Sequence, residues 1–345
     1  MNDRTSLVTH PLGPAVPGPG EAIAVAEGVH WIRMPLPFAL DHINLWLIED
    51  GDGWTVVDTG LGTRATRDLW ERHLAQTFGG RPVHRVVVTH YHPDHVGSAA
   101  WLAGRTGAPV WMTAAEFLSA HAARDDTAGF DRATGMAFFA ANGLDVAGLP
   151  EAMRTGNGYR RGVPELPRQY RRMMHGDRLG IGGREWEVIT VFGHAPEHAA
   201  LWCESLGVLI SGDQVLPRIT SNVGVWGNQP EGDPLRLFLE SLDRFAHLPG
   251  GALVLPSHDR VFYGLHERIV ELRDHHAARL DSLLEFCSEP RTAHEALPVL
   301  FRRALDDHQL MFAMGESIAH LHYLLHEGRL ERVEDAAGVR RYRRR

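Results

Sequence analysis

Val86-Val87-Val88-Thr89-His90-Tyr91-His92-Pro93-Asp94-His95 is the stretch on which the fold turns. Three valines in a row suit a buried strand, and the run ends directly in four metal-ligand-type side chains. Side chains leaving a strand alternate with period two, so His90 and His92 point to the same side. Asp94 and His95 follow where the chain turns toward a helix predicted from about Gly97 to Leu102. Four donors thus converge, and neutral imidazoles with a carboxylate suit zinc, iron or manganese. Taken alone, the motif leaves a surface cluster open as the alternative.

Three further motifs lie downstream: Gly193-His194-Ala195-Pro196-Glu197-His198, Ser211-Gly212-Asp213 and Pro256-Ser257-His258-Asp259. Each follows a predicted strand (185–192, 207–211 and 252–255), which brings all the donors to one sheet edge. A weaker fifth motif, Val57-Asp58-Thr59-Gly60, closes the strand at 54–58. In this order and with these neighbours, the set over about residues 20–265 resembles the metallo-β-lactamase superfamily of metallohydrolases. Its glyoxalase II-like members and those with a C-terminal winged-helix domain are the nearest in kind. The resemblance implies an α/β chain folded as an αββα sandwich. It also implies two divalent metal ions, zinc first, with iron or manganese as alternatives. His90, His92 and His194 would hold one ion, Asp94, His95 and His258 the other, with Asp213 bridging and Asp58 supporting. Asp94 and Asp213 would be the catalytic carboxylates, around a hydroxide bridging the ions. Glu197 stands where the family usually has Gly. His92 stands where the di-iron flavoprotein branch usually has Glu, which argues against that branch.

Other residues near these motifs carry two readings each. His198 is read as hydrogen-bonding a ligand or its loop, and Glu197 as a surface residue. His42 and Asn44 either stabilise a turn or touch substrate; Tyr91 and Trp226 either line a pocket or pack. Asp259 reads as local capping or surface, His275 and His276 as solvated, and Cys203 as an inert core residue.

The rest of the chain gives the organisation. Segments 45–49 and 54–58 flank Asp50-Gly51-Asp52-Gly53, a hairpin signal, and Leu69, Trp70 and Leu74 mark a helix over 64–77. From about 114 to 178 the β pattern gives way to a helical insertion, with helices at 115–124, 133–141 and 164–174. If it covers the site, its Met, Phe and Arg side chains would suit an acyl chain on an anionic carrier. A helix is expected over 235–247. Beyond Gly264, helices at 265–287, from the capping-box spacing Thr292–Glu295, and at 315–327 precede a hairpin of 330–334 with 339–343. That order suggests a winged helix. The chain therefore divides into a flexible segment 1–20, a catalytic domain 21–265 and a C-terminal helical, winged-helix-like domain 266–345.

Composition bounds the function. The formal charge of −8 argues against general nucleic-acid affinity, although residues 291–345 hold 10 Arg against 8 acidic residues and end in a basic run. Two cysteines cannot frame a disulfide scaffold, and neither a signal peptide nor a membrane-spanning run is seen, so a cytoplasmic enzyme without membrane contact is expected. All 35 basic residues are arginine and 22 residues are histidine, an excess that fits either metal or proton chemistry or a coding drift that favours Arg and His. The partner expected is a small-molecule substrate, in particular an acyl thioester, carboxylic ester or lactone, with a second copy of the chain as a further partner. The alternatives are a single-stranded RNA endonuclease using the C-terminal domain and a mononuclear iron persulfide dioxygenase.

Overall fold

A computed structural model describes residues 7–345. Two sheets face each other. The first has seven strands in chain order: β1 (Ile23–Ala26), β2 (Val29–Pro35), β3 (His42–Asp50), β4 (Gly53–Val57), β5 (Val83–Val87), β6 (Val110–Met112) and β7 (Arg171–Arg172). The second runs β12 (Leu253–Pro256), β11 (Val208–Gly212), β10 (His198–Cys203), β9 (Arg184–Val191) and β8 (Arg178–Ile181). The first sheet is antiparallel through β4 and parallel beyond it; in the second only β11 and β12 are parallel.

Period-two alternation builds the layers. Trp31, Trp46, Val57 and Val87 of the first sheet meet Trp186, Val188, Leu201 and Ile210 of the second in one buried cluster. Their neighbours Ile32, Leu45, Leu47 and Val86 face outward onto Trp70 and Leu102, from helices Arg64–Ala75 and Ala99–Thr106. On the far side, Ile189, Val191, Ala200 and Leu209 meet Phe238 of helix Pro234–Ser241, together with the C-terminal helices. The result is the αββα sandwich expected.

Several boundaries differ from expectation for local reasons. No helix forms over 164–174, because Pro164 and Pro167 remove backbone donors; the chain instead runs extended into β7, which pairs with β6. Met136, Phe138 and Phe139 of the insertion are buried in the core shared with the C-terminal helices, so they are not a free acyl-binding face. Within the segment expected to be flexible, Thr9 bridges Tyr263 and Val8 is buried. The helix over 235–247 ends at Ser241 and continues only as a tighter turn to Phe245.

At the C-terminus, helix Leu265–Phe286 runs as expected. The Thr292–Glu295 bonds form reciprocally, at 2.8 and 3.1 Å, yet they introduce only the single turn Leu297–Leu300. The last helix spans Asp307–His326, starting earlier than expected because Asp306 and Gln309 make a capping box. β13 (Leu330–Glu334) and β14 (Arg340–Arg344) close the chain. This hairpin lies on the body: Tyr342 is fully buried, and its hydroxyl meets Asn142 Oδ1 and His322 Nε2 at 3.2 and 3.1 Å. His276, expected in solvent, is buried against His320 at 3.1 Å, and His275 is half-buried beside it.

Candidate metal centre

The ends of β5, β9, β11 and β12 lie at one edge of the sandwich, stitched by Ala199 N to Thr89 O (2.9 Å) and Ser257 N to Gly212 O (3.1 Å). His90 and His92 follow β5; Asp94 and His95 sit in the one-turn helix Pro93–Val96. His194 follows β9, Asp213 follows β11 and His258 follows β12. The alternation argument holds: His90 Nε2 lies 2.9 Å from His92 Nδ1 and 3.2 Å from His194 Nε2. A second group forms around Asp94, whose Oδ2 is 3.8 Å from His95 Nε2 and 3.6 Å from His258 Nε2. Asp213 stands between them, 3.3 Å from His194, 3.4 Å from His95 and 3.6 Å from His258. All seven expected donors are therefore together, in sets of three close enough to share an ion.

Four of the five rings are aimed from behind. Nδ1 of His95 meets Asp58 Oδ2 at 2.8 Å, that of His194 meets the Asn222 carbonyl at 2.9 Å, and that of His258 meets the His42 carbonyl at 2.9 Å. Thr89 Oγ1 lies 3.0 Å from His90 Nδ1. Asp58 in turn accepts from the Thr89 amide and hydroxyl, both at 2.8 Å, with its backbone at φ 62°, a left-handed conformation that Asp tolerates. It reaches the site directly through His95 and, by way of the Thr89 hydroxyl, through His90. Asn44 is buried and donates to the Pro256 and Asp259 carbonyls (2.8 and 2.9 Å), while His42 Nε2 meets the Asp259 amide at 3.1 Å. Both residues therefore hold the His258 turn.

Burial and neighbouring charge set the protonation states. Burial, then the surrounding imidazoles, holds His90 well below the usual histidine range; burial followed by His194 does the same to His92. Burial also opposes charge on His95, but Asp58, Asp213 and Asp94 outweigh it and hold the ring well above its ordinary value. Burial works against ionised Asp213, yet His258 and His95 keep it well below the carboxylate range. His198 is buried and brought down to about 3 by burial, then by His194; its Nε2 lies 3.2 Å from the Asp213 amide. It therefore supports the Asp213 turn. Gly212 is required there, with φ +56° and no room for a Cβ against that ring.

Two buried atoms in the cluster, His95 Nε2 and Asp213 Oδ1, lack hydrogen-bond partners. Orphaned imidazole and carboxylate atoms aimed at each other are costly unless a cation joins them. The donor set is thus positioned for metal binding.

Sequence reasoning missed Glu116, in helix Ala114–Arg124. Its carboxylate is fully buried and accepts from the Tyr91 amide at 2.9 Å and the Glu197 amide at 2.5 Å, joining the two loops that carry His90, His92 and His194. Burial pushes it up to about 8, against those two bonds. Glu116, Ala120 and Ala123 are buried at helical spacing, and one acid on an apolar stripe was the signal available. Glu197 is half-buried rather than a surface residue: its Oε2 accepts from the Ala115 amide at 3.3 Å, and its carbonyl from Thr113 Oγ1 at 2.8 Å. Tyr91 and Trp226 pack, Tyr91 against Tyr159 and Phe130, Trp226 against Phe139 and Phe312.

Residues 39–258 match the family model of the metallo-beta-lactamase superfamily, and residues 280–345 that of the metallo-beta-lactamase-like C-terminal domain. The chain belongs to this superfamily. It is similar to a beta-lactamase domain protein from Burkholderia ambifaria, 44% identical, with 98% of each chain covered and a TM-score of 0.92. A probable metallo-hydrolase of Bacillus subtilis, YqjP, is 27% identical over 86% of this chain and 92% of its own length. A hydroxyacylglutathione hydrolase of Idiomarina loihiensis is 25% identical over 64% of this chain and 63% of that protein. Among the described residues no helix is long and apolar enough to cross a membrane.

Proposed function

We propose that the protein is a dinuclear metal-dependent hydrolase that cleaves a thioester, carboxylic ester or lactone. The observation that carries this reading is the pair of donor groups meeting at Asp213. His90, His92 and His194 would hold one divalent ion and Asp94, His95 and His258 the other, with zinc the first choice for imidazole and carboxylate donors. Bound there, such ions lower the pKa of water toward neutrality and polarise a carbonyl. Asp213, buried and held ionised, would balance the charge between them. Asp94 is the more exposed carboxylate, which suits a group that exchanges protons with substrate. The hydroxyacylglutathione hydrolase among the relatives favours a thioester. On this reading residues 21–265 form the catalytic unit, and 266–345, of winged-helix-like order, share a core with its second sheet. Two free, buried cysteines fit a reducing cytoplasm. Within the basic C-terminal run, Arg340, Arg341 and Arg343 are paired with Glu231, Asp335 and Glu331.

Metal analysis of the purified protein should find close to two ions per chain, and fewer in Asp213→Ala. A panel of acylated glutathione, acyl-CoA, lactone, β-lactam and single-stranded RNA then separates the substrate classes. Cleavage of RNA alone would overturn the ester reading, and a single iron with oxygen uptake would overturn the hydrolase.

A further inference from the structure

Residues 213–233, between β11 and the helix Pro234–Ser241, form a long segment without helix or strand. Such loops in compact domains are uncommon and tend to be functional. This one begins at Asp213 and carries the Asn222 carbonyl that aims His194. Its course is not fixed by a sheet. Arg268, in the first turns of helix Leu265–Phe286 and only 7% exposed, donates from Nε to the Leu216 carbonyl at 2.7 Å and from Nη2 to the Ile219 carbonyl at 2.9 Å. Its Nη1 is held by Glu271 at 2.8 Å. Farther along, the Val225 amide donates to the Gly315 carbonyl of the last long helix at 3.1 Å.

A guanidinium is a rigid planar fork, so two carbonyls gripped by one Arg are fixed relative to each other and to the helix that bears it. The gripped residues lie between Asp213 and Asn222. A shift in this stretch therefore moves a carboxylate at the junction of the two donor groups and the carbonyl behind His194 together.

We propose that Arg268 is a positioning residue, through which the C-terminal helix sets the loop that presents Asp213 and the Asn222 carbonyl to the metal cluster. This rests on the metal reading above. It gives the C-terminal region a task in the site itself, through contacts that do not involve substrate or nucleic acid.

The test compares Arg268→Ala and Arg268→Lys with Arg273→Ala. Arg273 lies on the same helix and donates to the Leu239 carbonyl at 2.9 Å, away from the loop. Two readouts are taken on the purified full chain: zinc affinity by chelator competition, and hydrogen exchange of amides 213–228. Arg268→Ala should bind zinc more weakly, by up to about 10-fold, since it stands one contact further from the donors than the partners whose loss costs about 10–100-fold, and exchange faster in 213–228. Arg268→Lys, with a single point of attachment, should fall between it and the parent, and Arg273→Ala should match the parent in both. If Arg268→Ala does not fold, Arg268→Lys must still show weaker binding and faster exchange. Parent-like affinity and exchange in the Arg268 variants, or equal losses in Arg273→Ala, would overturn the proposal. If the parent itself binds no zinc, the metal reading fails, while the exchange comparison still decides whether Arg268 sets the loop.

Discussion

Replacing Asp58 by Asn tests the logic of the site most directly, because it changes almost nothing except one acceptor. Asn has the same shape and tolerates the φ of 62° at this position, so the backbone should survive. The Asp58 carboxylate serves three donors: the Thr89 amide on Oδ1, and the Thr89 hydroxyl and His95 Nδ1 on Oδ2. The asparagine oxygen would be retained by the Thr89 amide, which has no freedom to rotate. Its NH2 group would then face His95 Nδ1. Two donors cannot face each other, so the ring gives up its Nδ1 proton first and keeps the one on Nε2, the atom aimed at Asp94 and Asp213. A protonated Nε2 has no lone pair for an ion. Loss of such an outer partner typically costs ~10–100-fold in metal affinity, or about 1.4–2.7 kcal/mol. The loss should fall on the Asp94, His95, His258 group and leave the His90, His92, His194 group nearly as it was.

The assay is a two-site zinc titration against a chelator, with the His95 tautomer followed through its ring nitrogen chemical shifts. Parent-like affinity in both groups, with the proton still on Nδ1, would refute the argument. A pH dependence accompanies it. In the metal-free protein His95 is held well above its ordinary value, so metal entry must displace a proton and affinity should fall as pH falls. Asp58→Asn removes the first of the carboxylates that favour the charged ring, so this slope should become shallower. Stability of the metal-free protein runs the other way. A histidine raised in the folded state contributes fully below its unfolded value, about 6.5, and its contribution is lost as pH climbs through the raised value.

Three further outcomes are expected. Gly212→Ala should abolish folding or zinc binding, because its Cβ would overlap His198 and φ is positive; normal expression with parent-like zinc content would count against this. Glu116, pushed up to about 8, keeps a proton when folded that it loses when unfolded above about 4.3, so it makes stability fall with rising pH across that window. Urea denaturation at pH 5 and pH 8 should show a smaller drop in Glu116→Gln, and an unchanged drop would remove Glu116 as its source. Tyr342→Phe takes the hydroxyl away from Asn142 Oδ1 and His322 Nε2 and should cost about 1–3 kcal/mol in the same assay, with zinc content unchanged.

Which parts were legible in the sequence follows from the range of the forces involved. The Val86–Val88 strand, the Asp50–Gly53 turn and the seven donors are local patterns: strand alternation or turn chemistry, with a ligand type at each strand end. Failures came where local pattern and tertiary packing disagree. Arg, Met and Tyr over 164–174 look helical by propensity, but two prolines and a free edge on β6 make the extended form better. His276 looked solvated because histidine in a helix usually is; only the arrival of helix Asp307–His326, remote in sequence, buries it against His320. The capping-box spacing at Thr292 was real and its bonds form, yet the helix ends at Leu300, since a cap fixes only a helix start.

The donors were readable because each must be a particular residue type, whereas their supports need only supply an oxygen in the right place. Backbone carbonyls of His42 and Asn222 aim two of the rings, and any residue has a carbonyl. What selects the Asn222 carbonyl is the path of 213–233, and that path depends on contacts from helices Leu265–Phe286 and Asp307–His326, far along the chain. A motif search confined to the catalytic segment would find the seven donors and treat the C-terminal region as an appendage. The hydrophobic core argues otherwise: side chains of β9, β10 and β11 share one buried cluster with Leu272, Leu283, Ile318 and Tyr342. Removing the C-terminal helices would expose one face of the second sheet and free the loop at Asp213 together. A truncation ending near residue 265 should therefore lose zinc binding along with solubility, even though all seven donors precede the cut.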